Sequence, residues 1–188
     1  LPHLTNTAHR HAALELLSGD DSVRAAVTRC RLDRMLTLTE QLAELRIQID
    51  ALVKATGSTL PEIYGVGPVV AATIIGHVSD VRRYPTRHHF ATANGTAPIP
   101  ASSGRTVRHR LNRGGNRQLN RALYTIAITQ IRADTEGRAY YQRKQAEGKT
   151  SREALRCLKR RLSDLIYRTL RADLANAAQR TPTLNIAA

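Results

Sequence analysis

The sequence predicts an all-α fold, in which a long coiled-coil-like helix is followed by a helix-hairpin-helix and a compact helical domain with a long basic loop. Three observations predict it. No segment of the 188 residues sustains the two-residue alternation of apolar and polar side chains that marks a half-buried strand. The core has to be aliphatic, because the chain has no Trp, a single Phe (Phe90), and 41% hydrophobic but only 4% aromatic residues. Apolar residues recur at helical spacing over several stretches, and the length suits one core with an appended helix.

The elements follow in chain order. Residues 1–19 form a short His-containing N-terminal segment that closes in Ser18-Gly19-Asp20-Asp21, a turn and cap cluster. A linker or coiled-coil element is expected over 20–57, with its helix from Ser22 to Thr56. Within it Met35, Leu38, Leu42, Leu45, Ile49 and Leu52 step by 3 and 4 in alternation, a heptad seam that keeps one apolar stripe facing a partner. At under three heptads it suits packing on its own domain as well as pairing between copies. Gly57 ends the helix.

A helical domain is expected over 58–175, opening on Leu60-Pro61-Glu62-Ile63-Tyr64-Gly65-Val66-Gly67-Pro68 and the apolar run to Ile75. From Ile63 this fits a helix-hairpin-helix. Gly65 and Gly67 allow a tight turn with outward N–H groups, the next helix adds its positive dipole end, Val66 plugs between the helices, and Ala71 lets them approach. Such a turn holds a phosphate without reading sequence, and a plain packing turn has the same pattern. His88 and His89 invite a metal, but no third ligand stands at a usual spacing, so no metal site is assigned. From Thr92 to Gly115 runs a long irregular stretch holding Arg105, Arg108, Arg110 and Arg113 with no acid among them. Asn116 is an N-cap candidate for a helix with Leu119, Leu123 and Ile126 inward and Arg117 and Arg121 outward. Thr150-Ser151-Arg152-Glu153 reads as a capping box. It opens a helix with Leu155, Leu158, Leu162, Leu165, Ile166 and Leu170 on its apolar face and Arg152, Arg156, Lys159, Arg160 and Arg161 outside. Residues 176–188 are expected as a flexible tail.

Charge is one-sided. The chain carries 29 basic and 15 acidic side chains, a net of +14, and residues 101–188 hold 19 of the basic and only 6 of the acidic ones. Such a block is the footprint of a polyanion binder and argues against an ordinary acidic cytosolic enzyme. Twenty-five of the cations are Arg, whose forks match phosphates and base edges. Cys30 and Cys157 stand far apart with no C-x-x-C spacing, which argues against a disulfide framework and fits a reducing cytoplasm. No apolar run approaches the roughly 18 residues of a membrane span. The chain begins at Leu1 rather than Met, as a piece of a longer protein would.

The order of several motifs is more specific than any one of them. Gly65-Val66-Gly67, Asp80-Val81-Arg82-Arg83-Tyr84, Phe90-Ala91 with Asn94-Gly95-Thr96-Ala97-Pro98, Ser103-Gly104, Asn112-Arg113-Gly114-Gly115-Asn116-Arg117, Leu119-Asn120-Arg121-Ala122-Leu123, and Tyr140-Tyr141 with Gly148-Lys149 follow one another. Together they resemble the C-terminal transposase domain of insertion-sequence recombinases that pair a RuvC-like DEDD nuclease domain with a serine-bearing domain. These are the bridge-RNA-guided recombinases, relatives of Piv-type DNA invertases. The resemblance runs over roughly residues 60–170.

The resemblance implies that Ser103, with Ser102 as the neighbouring alternative, attacks a DNA phosphate to form a covalent protein–DNA intermediate. The cations around it would stabilise charge on the phosphoryl oxygens. It also implies that DNA and a guide RNA are the partners, with Gly65, Val66, Gly67, Arg105, Arg108, Arg110, Arg113, Arg117, Arg121 and Lys149 as nucleic-acid contacts. Mg2+ is expected on carboxylates of the RuvC-like domain, which this chain lacks, so the chain is expected to be inactive alone. The 22–56 helix would pair protomers, and the setting would be a bacterial cytoplasm at the nucleoid. A non-catalytic helix-hairpin-helix nucleic-acid-binding module remains the alternative. A helical interaction protein with an oligomerising seam is a third, weakened because the positive block lies far from the seam.

Overall fold

The computed structural model describes residues 6–100, 109, 110, 112 and 114–180. Among them are seven α-helices: α1 Thr7–Leu16, α2 Val23–Ala55, α3 Pro68–Val78, α4 Arg87–Ala93, α5 Arg117–Arg132, α6 Glu136–Ala146 and α7 Ser151–Arg180. Single 3-10 turns stand at Leu60–Glu62 and Val81–Arg83. The chain is all-α, with one two-residue antiparallel ladder as its exception: Ile99 lies opposite Arg110 and Pro100 opposite His109. This pair is too short for any alternation to announce it, and it closes the stems of the basic stretch.

The chain divides into two compact units, residues 1–49 and 50–188. In the first, α1 was not foreseen. It is capped by Asn6, whose side chain accepts from the Ala8 amide, and Arg10 Nη1 donates to Thr39 Oγ1 at 2.7 Å. Arg29 donates to the carbonyl oxygens of Leu17 and Asp20, so one guanidinium ties down the turn between α1 and α2. Ser22 caps α2 by accepting from the Ala25 amide. At the other end of α2, Gly57 takes φ +67° and stops the helix.

In the second unit, α4, α5 and α6 pack on α7. The inner face of α7 is Ala154, Leu158, Leu162 and Ile166 at four-residue steps, all buried. The inner face of α5 is Leu119, Ala122, Leu123, Ile126, Ala127 and Gln130, the i, i+3, i+4, i+7 stripe of a half-buried helix. Phe90 is 1% exposed, edge-on to Tyr84 at 5.2 Å and tilted to Tyr167 at 5.7 Å. Tyr167 sends its hydroxyl to the Tyr84 carbonyl at 2.9 Å, so this aromatic cluster has its polar edge satisfied. The capping box of α7 forms as expected: the Thr150 amide donates to Glu153 Oε2 at 3.0 Å, and the Glu153 amide returns to Thr150 Oγ1 at 3.4 Å. Helix α7 continues to Arg180, through the first five residues of the expected tail. The Ala-rich stretch there has high helix propensity.

Asn94 joins α4, α5 and α7. It is fully buried, and its Nδ2 donates to the equally buried Ser163 Oγ at 2.8 Å. Its Oδ1 accepts from the Thr96 amide and hydroxyl at 3.1 and 2.7 Å, and its carbonyl accepts from Asn120 Nδ2 at 2.8 Å. Next to it, Gly95 has φ +74° and lies against Gly115, where an added Cβ would stand 2.2 Å from the Gly95 nitrogen. No side chain fits between these two backbones.

Two stability predictions follow from this packing. Gly115→Ala pushes a methyl into backbone that has nowhere to go, and should cost about 3–5 kcal/mol in urea unfolding, the range of severe packing faults. The second concerns acid. Hydrogen bonds from Arg82, Lys144 and Thr150 hold the carboxyls of Asp80, Glu147 and Glu153, respectively, below their ordinary values, and the Ser22 amide does the same for Asp20. A carboxyl depressed in the folded state gives stability that is present above its unfolded pKa and lost as pH falls through the folded one. Urea midpoints should therefore be level from about pH 7 to 5 and drop below about pH 4. Glu153→Gln should flatten part of that drop.

Candidate nucleic-acid interface

The hairpin forms with a difference from its sequence pattern. Its second helix is α3, but the element before the turn is the single 3-10 turn at Leu60–Glu62 rather than an α-helix. Pro61 and the pull of Asp173 explain this. Asp173 accepts from Ser58 Oγ at 2.7 Å, Thr59 Oγ1 at 2.7 Å and the Thr59 amide at 3.1 Å, which holds the chain on α7 where a regular helix would have to leave it.

The three hairpin residues divide by role. Gly65 has φ +87° and rests on α5, where a Cβ would meet Thr129 and the Ile126 carbonyl at 3.2–3.3 Å. Gln130, 7% exposed, donates to the Tyr64 carbonyl at 2.9 Å and satisfies the inner side of the turn. Val66 is 4% exposed and Ala71 fully buried, as plug and close-approach position. Gly67 alone opens outward: it caps α3 with φ −78°, and nothing lies within 4 Å of where its Cβ would be. An anion at this turn would meet Gly67 and the unbonded first-turn N–H groups of α3, not Gly65 or Val66.

A larger feature lies at the other end of α5. Gly95 and Gly115 floor a groove of about 500 Å³. Arg117, Arg121 and Tyr124 of α5 line it, with Asn120 and Asn112 beside them and Lys159 reaching in from α7. Asn116 starts the wall by capping α5, its Oδ1 accepting from the Gln118 and Leu119 amides at 2.9 and 3.1 Å. Among the described residues the lining has three cations and no carboxylate. Arg117 and Arg121 are exposed and one turn apart, as expected.

Lys159 corrects the sequence reading, which placed it outside with the arginines. It is 8% exposed, its Nζ donates to Asn120 Oδ1 and lies 5.9 Å from the Tyr124 ring centre. Burial holds its pKa below the usual lysine value. The signal was in the spacing: Lys159 stands four residues from Leu155 and from Ser163, on the inner face, and hydropathy alone sent it outward. Arg160 also departs from the solvated face, paired with Asp164 and donating to His88 Nδ1 at 3.2 Å.

The remaining assigned residues stand as follows. Arg110 stands opposite Ile99 in the two-residue ladder, and Lys149 is exposed in the turn between α6 and α7, outside the lining of the groove. Ser103, Ser102, Arg105, Arg108 and Arg113 lie outside the described residues. Asn94, Asn120, Tyr124 and Lys159 were not singled out beforehand for a site. Among the described residues no group of three His, Cys, Asp or Glu side chains could hold a metal ion, so these donors do not fit a Mg2+ centre. None of the described helices is long and apolar enough to cross a membrane.

Comparison with known proteins places this geometry. The chain is 38% identical over 135 residues to the insertion element IS110 uncharacterized 43.6 kDa protein of Streptomyces coelicolor, covering 70% of this chain and 33% of that protein. It is 36% identical over 109 residues to the insertion element IS116 uncharacterized 44.8 kDa protein of Streptomyces clavuligerus, and 33% identical over 109 residues to the insertion element IS900 uncharacterized 42 kDa protein of Mycobacterium paratuberculosis. Each of these matches covers 57% of this chain and 27% of the relative. The matched stretch thus spans a third or less of the length of these relatives. Over residues 57–142, which hold the hairpin, the Asn94 junction and the cationic wall of the groove, the chain matches the model of the transposase IS116/IS110/IS902 family.

Proposed function

We propose that this chain is the nucleic-acid-contacting, C-terminal part of an insertion-element transposase, which binds DNA and a guide RNA and supplies Ser103 as nucleophile in DNA strand exchange. The observation that carries the reading is the groove, whose described lining apart from Lys159 lies in the transposase-matched stretch: three cations over a glycine floor, with no carboxylate among the described lining residues. In sequence Ser103 lies between the two floor glycines, on the stretch whose ends pair Ile99 with Arg110 and Pro100 with His109. The unneutralised field of the groove attracts phosphate.

In the proposed step Ser103 Oγ loses its proton and bonds to phosphorus, the bond to the leaving deoxyribose oxygen breaks, and that oxygen takes up a proton. A phosphodiester is exchanged for a phosphodiester, so the strand can be resealed by the reverse attack. Carboxylates that hold Mg2+ are proposed to come from a RuvC-like domain beyond this chain, which would leave the chain inactive by itself.

In the full-length protein, Ser103→Ala should abolish the covalent protein–DNA product and leave DNA affinity within about two-fold. Loss of the product with Ser102→Ala but not Ser103→Ala would move the nucleophile by one residue. Covalent product from the full-length protein with both substitutions would put the nucleophile elsewhere in it and leave this chain a non-catalytic binding module. Binding should weaken with salt at a log–log slope of roughly −0.9 per phosphate contact on duplex DNA. Removing Arg117 and Arg121 together should flatten that slope by about 2. Gly67→Ala adds a methyl into open space, so it should leave stability nearly unchanged and lower affinity only if the hairpin touches a phosphate.

We also propose that α2 pairs protomers. Met35, Leu38, Leu42, Leu45 and Leu52 of the heptad seam are 40–68% exposed, an apolar stripe that a second copy would cover. Sedimentation of the chain should show mass rising with concentration. Leu42→Glu with Leu45→Glu should hold it monomeric, and a monomeric wild-type chain at high micromolar concentration would end the idea.

A further inference from the structure

We infer that the groove between α5 and α7 binds an unpaired nucleotide, with the base stacked on Tyr124 and the phosphate held by Arg117, Arg121 and Lys159. The inference rests on the nucleic-acid reading above and adds a binding mode to it. The groove's volume of about 500 Å³ lies within the range of small-ligand sites.

Tyr124 is 48% exposed on the rim of a groove whose other described side chains are polar. An aromatic ring half in water among cations offers a face on which a base can stack. A nucleobase is the planar apolar surface that accompanies a phosphate, and stacking on an aromatic ring contributes about 1–3 kcal/mol per base. Lys159 Nζ, 5.9 Å from the ring centre, adds positive charge on the same spot.

Lys159 points to an anion by a second route. Its ammonium is buried and hydrogen-bonded to a neutral amide oxygen, and among the described residues no carboxylate pairs with it. A buried cation without a counter-ion is costly, and its depressed pKa reports that cost. A phosphate entering the groove would supply the missing charge, alongside the two guanidinium forks of Arg117 and Arg121.

A paired base in duplex offers neither of its faces, since both are covered by neighbours. The ligand class is therefore a single strand, a loop or an extruded nucleotide. The shared chemistry is base plus phosphate, and the sugar distinguishes DNA from RNA.

The test uses the full chain with a 12-nucleotide strand carrying one 2-aminopurine, its abasic counterpart and its duplex, each as deoxyribose and ribose forms. Wild-type chain should quench the 2-aminopurine and bind the single strand about ten-fold more tightly than the abasic strand. Tyr124→Ala should lose that ten-fold preference and the quenching while keeping duplex affinity. Tyr124→Phe should retain both. Lys159→Met should weaken all single strands, the abasic one included, because it acts on phosphate. A preference for one sugar names the source of the nucleotide.

If wild type binds both strands and duplex but Tyr124→Ala changes nothing, or weakens duplex equally, this site is wrong and the general reading survives. If wild type binds none of the probes at low salt, the general reading falls and takes this one with it. Tyr124 is half-exposed, so unfolding of its variants is not expected, and a thermal melt of each checks it.

Discussion

The buried amide of Asn94 is the contact on which the rest of the helical unit depends. Its side chain bonds to Ser163 of α7 and to Thr96, and its carbonyl takes Asn120 of α5, so three helices share one residue. Each of these bonds replaces one to water, and the net gain of each is only about 1 kcal/mol. Their force is in specificity: an unpaired amide at this depth would cost more than the bonds return. Among the described residues no buried side-chain nitrogen or oxygen lacks a partner, so one register of α4, α5 and α7 satisfies the set.

That register fixes the groove. With Asn94 anchored, Gly95 turns at φ +74° and its backbone meets Gly115. Gly115 leads directly into Asn116, and the Asn116 amide donates to the Ala93 carbonyl at 2.7 Å. The start of α5 is thereby pinned to the end of α4, and the α5 dipole points its positive end toward the groove. Asn120 faces two ways: Nδ2 goes to Asn94 and Oδ1 receives Lys159. The same residue that locks the helices thus positions the buried cation.

Much of this was legible in the sequence because it rests on local chemistry. The heptad steps of α2, the stop at Gly57, the Asn116 cap and the Thr150–Glu153 box are each set by residues within one or two turns. What the sequence hid involves residues far apart. Nothing local says that Gly115 serves close approach rather than loop freedom, or that Asn94 looks for Ser163, 69 positions away. The hairpin was legible as a pattern, but its division into two packed residues and one open one was not. That division depends on α5, where Thr129 and the Ile126 carbonyl cover Gly65 and Gln130 bonds to the Tyr64 carbonyl. Lys159 was misread because a charged residue was assigned by its type, while its spacing from Leu155 and Ser163 already put it inside.

Lys159 also shows how a buried charge bears on the binding proposed for the groove. A methionine of similar length would fill the same space and keep the stem packed without the desolvation that lowers the lysine pKa. By the same linkage as for the carboxyls, but with opposite charge, a lysine depressed in the folded state subtracts stability below its unfolded pKa, neutral pH included. The fold therefore carries this ammonium at a loss, and Asn120, which the Asn94 network needs in place anyway, offsets only part of it. A loss of that kind at the wall of a groove with no carboxylate among its described residues would be relieved by an entering anion. Folding thus leaves part of the ammonium's desolvation uncompensated, and a phosphate in the groove, as proposed, would supply the missing charge.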